Sequence, residues 1–262
     1  LNSNVTYIMI IVDKLYKGFN GIQVLKGIST TFKPGKTSLI IGQSGSGKTV
    51  FLKSLIGLHS PESGTISFNG GINTEFTTEQ KRQWRQEIGM VFQGSALFDS
   101  QTVQDNVMFP LKMFKKQPEE QMLERVNFVL KRVNLENSNS KYPAELSGGM
   151  QKRVAIARAI VMNPKYLFCD EPNSGLDPNT AILIDNLIQE ITDEYKITTV
   201  INTHDMNSVM EIGERINFLK DGMLVWKGVQ EEIFKTQNKD VTDFVYSSNL
   251  FKKIREVQNK SS

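Results

Sequence analysis

Gly42-Gln43-Ser44-Gly45-Ser46-Gly47-Lys48-Thr49 fits G-x-x-x-x-G-K-[ST], a spacing whose chemistry is phosphate binding. Glycines leave backbone N–H groups free to wrap β- and γ-phosphates, and a helix starting at the end of the loop adds the positive end of its dipole. Lys48 is placed to reach the same phosphate oxygens, and the Thr49 hydroxyl to ligate Mg²⁺. A flexible Gly/Ser turn is the bland alternative. It would need neither the strand-like run Thr37–Ile41 before it nor the helical spacing of Val50, Leu52, Leu55 and Ile56 after it.

Tyr166–Glu171 is an apolar run ending in two acids. Asp170 at such a strand end can hold Mg²⁺ through water. Side-chain alternation puts Glu171 on the other side of the strand end, where it can polarise an attacking water. Taken alone, the pair would read as surface strand caps; beside the glycine loop it reads as catalytic. Leu146-Ser147-Gly148-Gly149-Met150-Gln151 has Ser147 as a natural helix N-cap, followed by two unobstructed amides. Two glycines at a helix start cost stability, which calls for a reason such as the close approach of an anion. One chain already carries a phosphate loop, so this second element is read as presented to a neighbouring chain.

These groups need a sheet to hold them. Strand texture is read at Tyr7–Val12, Val24–Phe32, Thr37–Ile41, Thr65–Phe68, Ile88–Phe92, Tyr166–Cys169 and Thr198–Asn202, with a turn at Lys17–Gly21 and a hairpin around Asp221-Gly222. A helical pattern (Ile182, Ile184, Leu187, Ile188, Ile191) lies between the last two strands, which argues for a mostly parallel sheet. Residues 99–162 are mainly helical and read as an insertion between two strands. Val229 onward is a helical tail ending in basic residues, Lys252, Lys253 and Arg255.

Composition bounds the rest. The 262 residues are 39% hydrophobic, enough for a substantial core. A net charge of +3 without a basic stripe argues against a nucleic-acid partner. The lone Cys169 rules out an internal disulfide framework and fits a reducing compartment. No apolar run approaches the roughly 18 residues that span a bilayer, so the chain is expected to be soluble by itself and held at a membrane only by partners.

The order of these segments resembles the ATP-binding-cassette (ABC) ATPases, whose signature is L-S-G-G-Q; Met150 departs from its glutamine. The resemblance spans nearly the whole chain and implies an α/β P-loop fold. Its parts are a RecA-like mixed-sheet core (about 1–93 and 164–228), an N-terminal antiparallel β subdomain, a helical subdomain (about 94–163) and a C-terminal helical tail (about 229–262). It makes Gln93 the Q-loop glutamine on the metal side, Ser174-Gly175-Leu176-Asp177 a D-loop that touches a partner, and His204 the switch histidine contacting the γ-phosphate. Phe19 is the adenine-stacking ring, with Tyr16 as competitor, and Val24 and Val50 flank the nucleotide. The expected catalytic set is therefore Lys48, Gln93, Glu171 and His204, with Thr49, Gln93 and Asp170 on Mg²⁺. Ser147, Gly148, Gly149 and Asp177 would act in trans on the ATP of a second copy, in a head-to-tail, ATP-dependent homodimer.

A finer resemblance follows Gln93. Gln93-Gly94-Ser95-Ala96-Leu97-Phe98-Asp99, together with Met150, is similar to the ATPase of Mla-type phospholipid transporters, although Gly94 and Ser95 are inverted relative to that pattern. That likeness implies lipid transport, an integral membrane permease, a lipid-binding (MCE-type) subunit and a place on the cytoplasmic face of the inner membrane. Leu97, Phe98, Met108, Phe109, Leu111, Met113 and Phe114 would supply core and a groove for a permease helix. The competing expectations are the ATPase of a small-molecule importer, such as one for amino acids, and a soluble ABC protein without a transport role.

Overall fold

The computed structural model describes residues 9–247; the basic positions 252, 253 and 255 lie outside them. β1 (Ile10–Phe19) and β2 (Ile22–Phe32) form a hairpin closed by Asn20-Gly21. Both turn residues have positive φ, 51° and 79°, as a two-residue hairpin loop requires. The turn is thus tighter than the one read at Lys17–Gly21, and strand pairing continues through Lys17. β3 (Thr37–Ile41) runs into the glycine loop and on to α1 (Lys48–Leu55). β4 (Ser63–Phe68) and β5 (Gly71–Ile72) complete an antiparallel sheet in the order β2-β1-β4-β5.

α2 (Thr78–Gln86) has no counterpart in the sequence reading. Its signal was nevertheless present: Thr77 and Gln80 form a capping box, each side chain bonding the other's backbone. β6 (Ile88–Val91) follows, then α3 (Val103–Phe114), α4 (Glu119–Arg132) and α5 (Gly148–Ile160), and the chain re-enters the sheet at β7 (Tyr166–Asp170). β6 and β7 are parallel neighbours, so these three helices occupy the crossover between adjacent strands. α6 (Pro178–Tyr195) leads to β8 (Thr198–Asn202), and α7 (Met206–Ile212) to the hairpin β9 (Arg215–Lys220) and β10 (Met223–Gly228). Two short helices, α8 (Gln230–Ile233) and α9 (Lys239–Val245), end the described chain. The large sheet has the order β10-β9-β3-β8-β7-β6, parallel throughout except for β10.

The central strands are buried on both faces, and their alternation feeds two cores. Leu39, Ile41, Leu167, Cys169 and Ile201 pack with the helices of the crossover and the C-terminal half. Ile40, Tyr166, Phe168, Val200 and Leu219 pack on the opposite side with α1 (Phe51, Leu52, Leu55) and the inner face of the antiparallel sheet (Ile10, Val12, Leu25, Ile28, Phe32). α1 is therefore clamped between two sheets, and the glycine loop that precedes it inherits that fixity. The apolar group after Gln93 divides. Met108 and Leu111 are core, whereas Phe98 and Met113 stand exposed, with Phe98 against Phe109 at 4.9 Å between ring centroids.

Candidate active site

Two glycines of the loop, Gly42 and Gly47, stand where neighbours crowd the place of a side chain. A Cβ on Gly42 would lie 2.2 Å from the Leu219 carbonyl oxygen, and Gly47 has φ 101° against Leu25 and Val24. The β9–β10 turn braces it from outside. Gly222 N–H donates to Ser46 O at 3.1 Å, and Lys26 N–H donates to Gly222 O at 2.9 Å, which ties the loop to β2. Val24, Ser44, Gly45, Gly47, Lys48, Thr49, Val50 and Glu171 line an open cleft of about 310 Å³. The Lys48 ammonium is buried and curls back onto the carbonyls of Gly42 and Gln43 at 2.9 and 3.1 Å. Burial lowers its pKa, with the Glu171 and Asp170 carboxylates pulling the other way.

Parallel register sets the acids. Asp170 pairs with Asn202 across β7 and β8, and the Asn202 amide donates to Asp170 Oδ1 at 3.1 Å. Asp170 Oδ1 also lies 3.4 Å from Thr49 Oγ1. Strand alternation does not place Glu171: β7 ends at Asp170, and Glu171 turns into the left-handed region at φ 46°, its N–H held by Asn202 O at 3.0 Å. That turn swings its carboxylate between two groups from other loops. Glu171 Oε2 accepts from Gln93 Nε2 at 2.9 Å, and Oε1 lies 3.0 Å from His204 Nδ1. Gln93, Glu171 and His204 thus converge at the rim of the cleft.

The remaining expected site residues lie elsewhere. Ser147 caps α5, accepting from Met150 N–H at 3.3 Å, and Asp177 caps α6, accepting from Thr180 N–H at 3.0 Å. That bonding holds the exposed Asp177 carboxyl below its ordinary pKa. Gly148 and Gly149 face this second cap, and a Cβ on Gly149 would strike Thr180 Cγ2 at 2.6 Å. Gly149 therefore has a reason within its own chain, besides the anion approach inferred from sequence. None of Ser147, Gly148, Gly149 or Asp177 lines the Lys48 cleft. Phe19 is half-exposed at the hairpin tip, packed edge-on against His59 at 5.1 Å and under Lys17. The competing Tyr16 is as exposed as Phe19 and lies over Gly27, its hydroxyl 2.7 Å from where a Cβ would stand. Sequence reasoning did not find Lys152 and Arg158, which hold the backbone of residues 93–96.

Comparison with known proteins identifies the family. Residues 25–174 match the family model described as ABC transporter. The methionine import ATP-binding protein MetN 1 of Bacillus thuringiensis subsp. konkukian (strain 97-27) is 38% identical over 238 residues, 90% of this chain and 70% of that protein. The arginine transport ATP-binding protein ArtM of Bacillus subtilis (strain 168) is 40% identical over 240 residues, 90% of this chain and 98% of that one. A solved dimeric ATP-binding cassette, in a post-hydrolysis state bound to ADP and Pi, matches with a TM-score of 0.77 at 31% identity, over 84% of this chain and 98% of its own. The chain belongs to the ABC transporter family. It has that family's cassette fold and is an ATP-binding ATPase. The lipid expectation fares differently: these relatives are named for methionine and arginine, and neither the Mla-type likeness nor an MCE-type partner gains support from them.

Proposed function

We propose that this chain is the ATP-hydrolysing subunit of an amino-acid importer, working as a head-to-tail pair of copies beneath a membrane permease, on the cytoplasmic face. The observation that carries the hydrolytic part is the convergence of Gln93 and His204 on the Glu171 carboxylate beside the Lys48 loop. Glu171 accepts the proton of the attacking water, and His204 holds that carboxylate in place while its other ring nitrogen faces the γ-phosphate. Lys48 and the loop amides neutralise the β- and γ-oxygens, and Phe19 stacks on adenine.

The residues fit Mg²⁺. Thr49 Oγ1 and Asp170 Oδ1 are 3.4 Å apart, so hydroxyl and carboxylate face one spot, where Thr49 would ligate the ion directly and Asp170 would hold it through water. Among the described residues no cluster of three or more His, Cys, Asp or Glu offers a metal cage, and none is needed by an ion held largely by substrate phosphates and water. Held there by Thr49, Asp170 and Gln93, it would neutralise charge developing on the phosphate oxygens.

Two features support the paired arrangement. The second half-site (Ser147, Gly148, Gly149, Asp177) has no nucleotide of its own chain to meet, and the matched cassette structure is a dimer. A permease partner is what the family implies; among the described residues no helix is long and apolar enough to cross a membrane. Exposed Phe98 and Met113 offer it adaptable apolar contacts. The cargo reading rests on the import and transport proteins that the chain resembles. Met150 and the Ala96-Leu97-Phe98 run favour a second reading, phospholipid transport. The test is to recover the membrane complex through this chain and measure its ATPase rate with amino acids and with phospholipid vesicles. Stimulation by an amino acid supports the first reading; stimulation by lipid alone replaces it with the second.

A further inference from the structure

α5 begins at the half-site presented to a neighbour and carries two cations further along that reach into the chain's own site. Lys152 is 5% exposed, and its ammonium donates to the Gln93 carbonyl. One turn and a half further on, Arg158 donates from Nη1 to Ala96 O at 2.8 Å and from Nη2 to Ser95 O at 2.7 Å. Three of the four carbonyls between positions 93 and 96 are thus held by one helix. Ser95 and Ala96 lie in the left-handed region, φ 62° and 48°, which non-glycine residues leave unless something holds them. The Gln93 side chain in turn meets Glu171.

Stability alone does not account for Lys152. It buries an ammonium against the Gln93 carbonyl, and burying a charge carries a desolvation cost. An uncharged side chain of the same length would fill the space without that desolvation cost. We infer that Lys152 and Arg158 are positioning residues: they lock the backbone from Gln93 to Ala96 to α5, the helix that Ser147–Gly149 begin, and so keep Gln93 in place against Glu171 when a second copy engages the start of that helix. The link is rigid and short. Gln93 is held at its carbonyl by α5 and at its amide by the catalytic carboxylate.

The inference rests on the proposed hydrolytic, paired reading, and the experiment separates the two. Wild type, K152M, K152R and R158K are compared for Mg·ATP affinity, ATP-dependent pairing, thermal unfolding and steady-state hydrolysis. K152M is expected to bind ATP within about twofold of wild type, to melt no lower, and to lose at least tenfold in kcat with KM little changed. K152R restores most of the rate, and R158K, which keeps charge but loses the two-pronged grip, falls between. K152M turning over within twofold of wild type overturns the inference, as does a loss of rate matched by loss of ATP binding or of melting temperature. A wild-type chain that binds ATP without hydrolysing it, alone or with its permease, overturns the underlying reading and the inference together.

Discussion

Glu171 Oε1 and His204 Nδ1 stand 3.0 Å apart although 33 residues separate them in the chain. The parallel pairing of β7 with β8 brings the two strand ends to one rim, and the left-handed turn at Glu171 aims its carboxylate along that rim rather than across it. Such a backbone costs about 1–3 kcal/mol in a non-glycine residue. Here it is held by the N–H of Glu171 on Asn202 and by the N–H of Ser174 on Glu171. The strain sits at the residue to which the chemistry is assigned.

Replacing Glu171 by Gln keeps the side chain's shape and removes its basicity. Turnover is expected to fall at least 100-fold while ATP affinity stays within a few-fold, so that ATP accumulates in a stable pair of copies. Size-exclusion chromatography with ATP shows the pair and a phosphate-release assay the lost rate. Hydrolysis at the wild-type rate would remove Glu171 as the base.

Ser147→Arg should separate the two half-sites. The substituted residue lies away from the Lys48 cleft, so the isolated chain is expected to bind nucleotide almost as before. Hydrolysis should be abolished because the bulky cation blocks approach of the second copy. Equilibrium binding by a fluorescent ATP analogue decides it: lost affinity in the monomer would contradict the division of the site between chains.

Much of this architecture was legible because of burial. Strands covered on both faces must be continuous apolar runs, and β3 and β8 stand at the residues read from sequence, Thr37–Ile41 and Thr198–Asn202. Contacts closed by distant residues were not legible. Gly149 meets Thr180, and Lys152 meets Gln93 across 59 positions; no local spacing reports either. The alternation rule misdirected Glu171, because a strand end is where alternation stops. Cargo was least legible, since this chain's own residues meet ATP and not the solute.

The glycine turn at Gly222 is expected to matter more than its distance from the nucleotide suggests. A Cβ there would lie 2.0 Å from the Val24 carbonyl oxygen at φ 80°, so G222A must move either the turn or β2. Both brace the phosphate loop through Ser46 and Lys26. We expect a loss of about 2–4 kcal/mol in urea unfolding together with weakened ATP binding. G70A is the control. Gly70 has a similar φ of 86° but no atom within 4 Å, so only the backbone preference of about 1 kcal/mol is at stake. Equal losses in the two variants would show that the Val24 contact is unimportant.

Asp185 gives a prediction about pH. It is 2% exposed, its Oδ2 accepts from Asn173 Nδ2 at 3.1 Å, and its Oδ1 has no hydrogen-bond partner among the described residues. Burial pushes its carboxyl up to about 6 from an ordinary 3.8, and the Asp205 and Glu211 carboxylates push the same way. Hydrogen bonds from Ser208 and Asn173 oppose them. Between these two values the folded chain binds more protons than the unfolded one, so stability falls as pH rises through that window and the loss is complete above it. A shift of about two units corresponds to about 3 kcal/mol at most. Replacing Asp185 by Asn removes the ionisation while keeping an acceptor for the Asn173 amide. Urea unfolding at several pH values from 4 to 8 should therefore show wild type losing stability relative to D185N, by about 1–3 kcal/mol between the ends. Parallel profiles would mean that Asp185 ionises in the folded chain as easily as in the unfolded one, and that the buried Asn173–Asp185–Ser208 link carries a charge without cost.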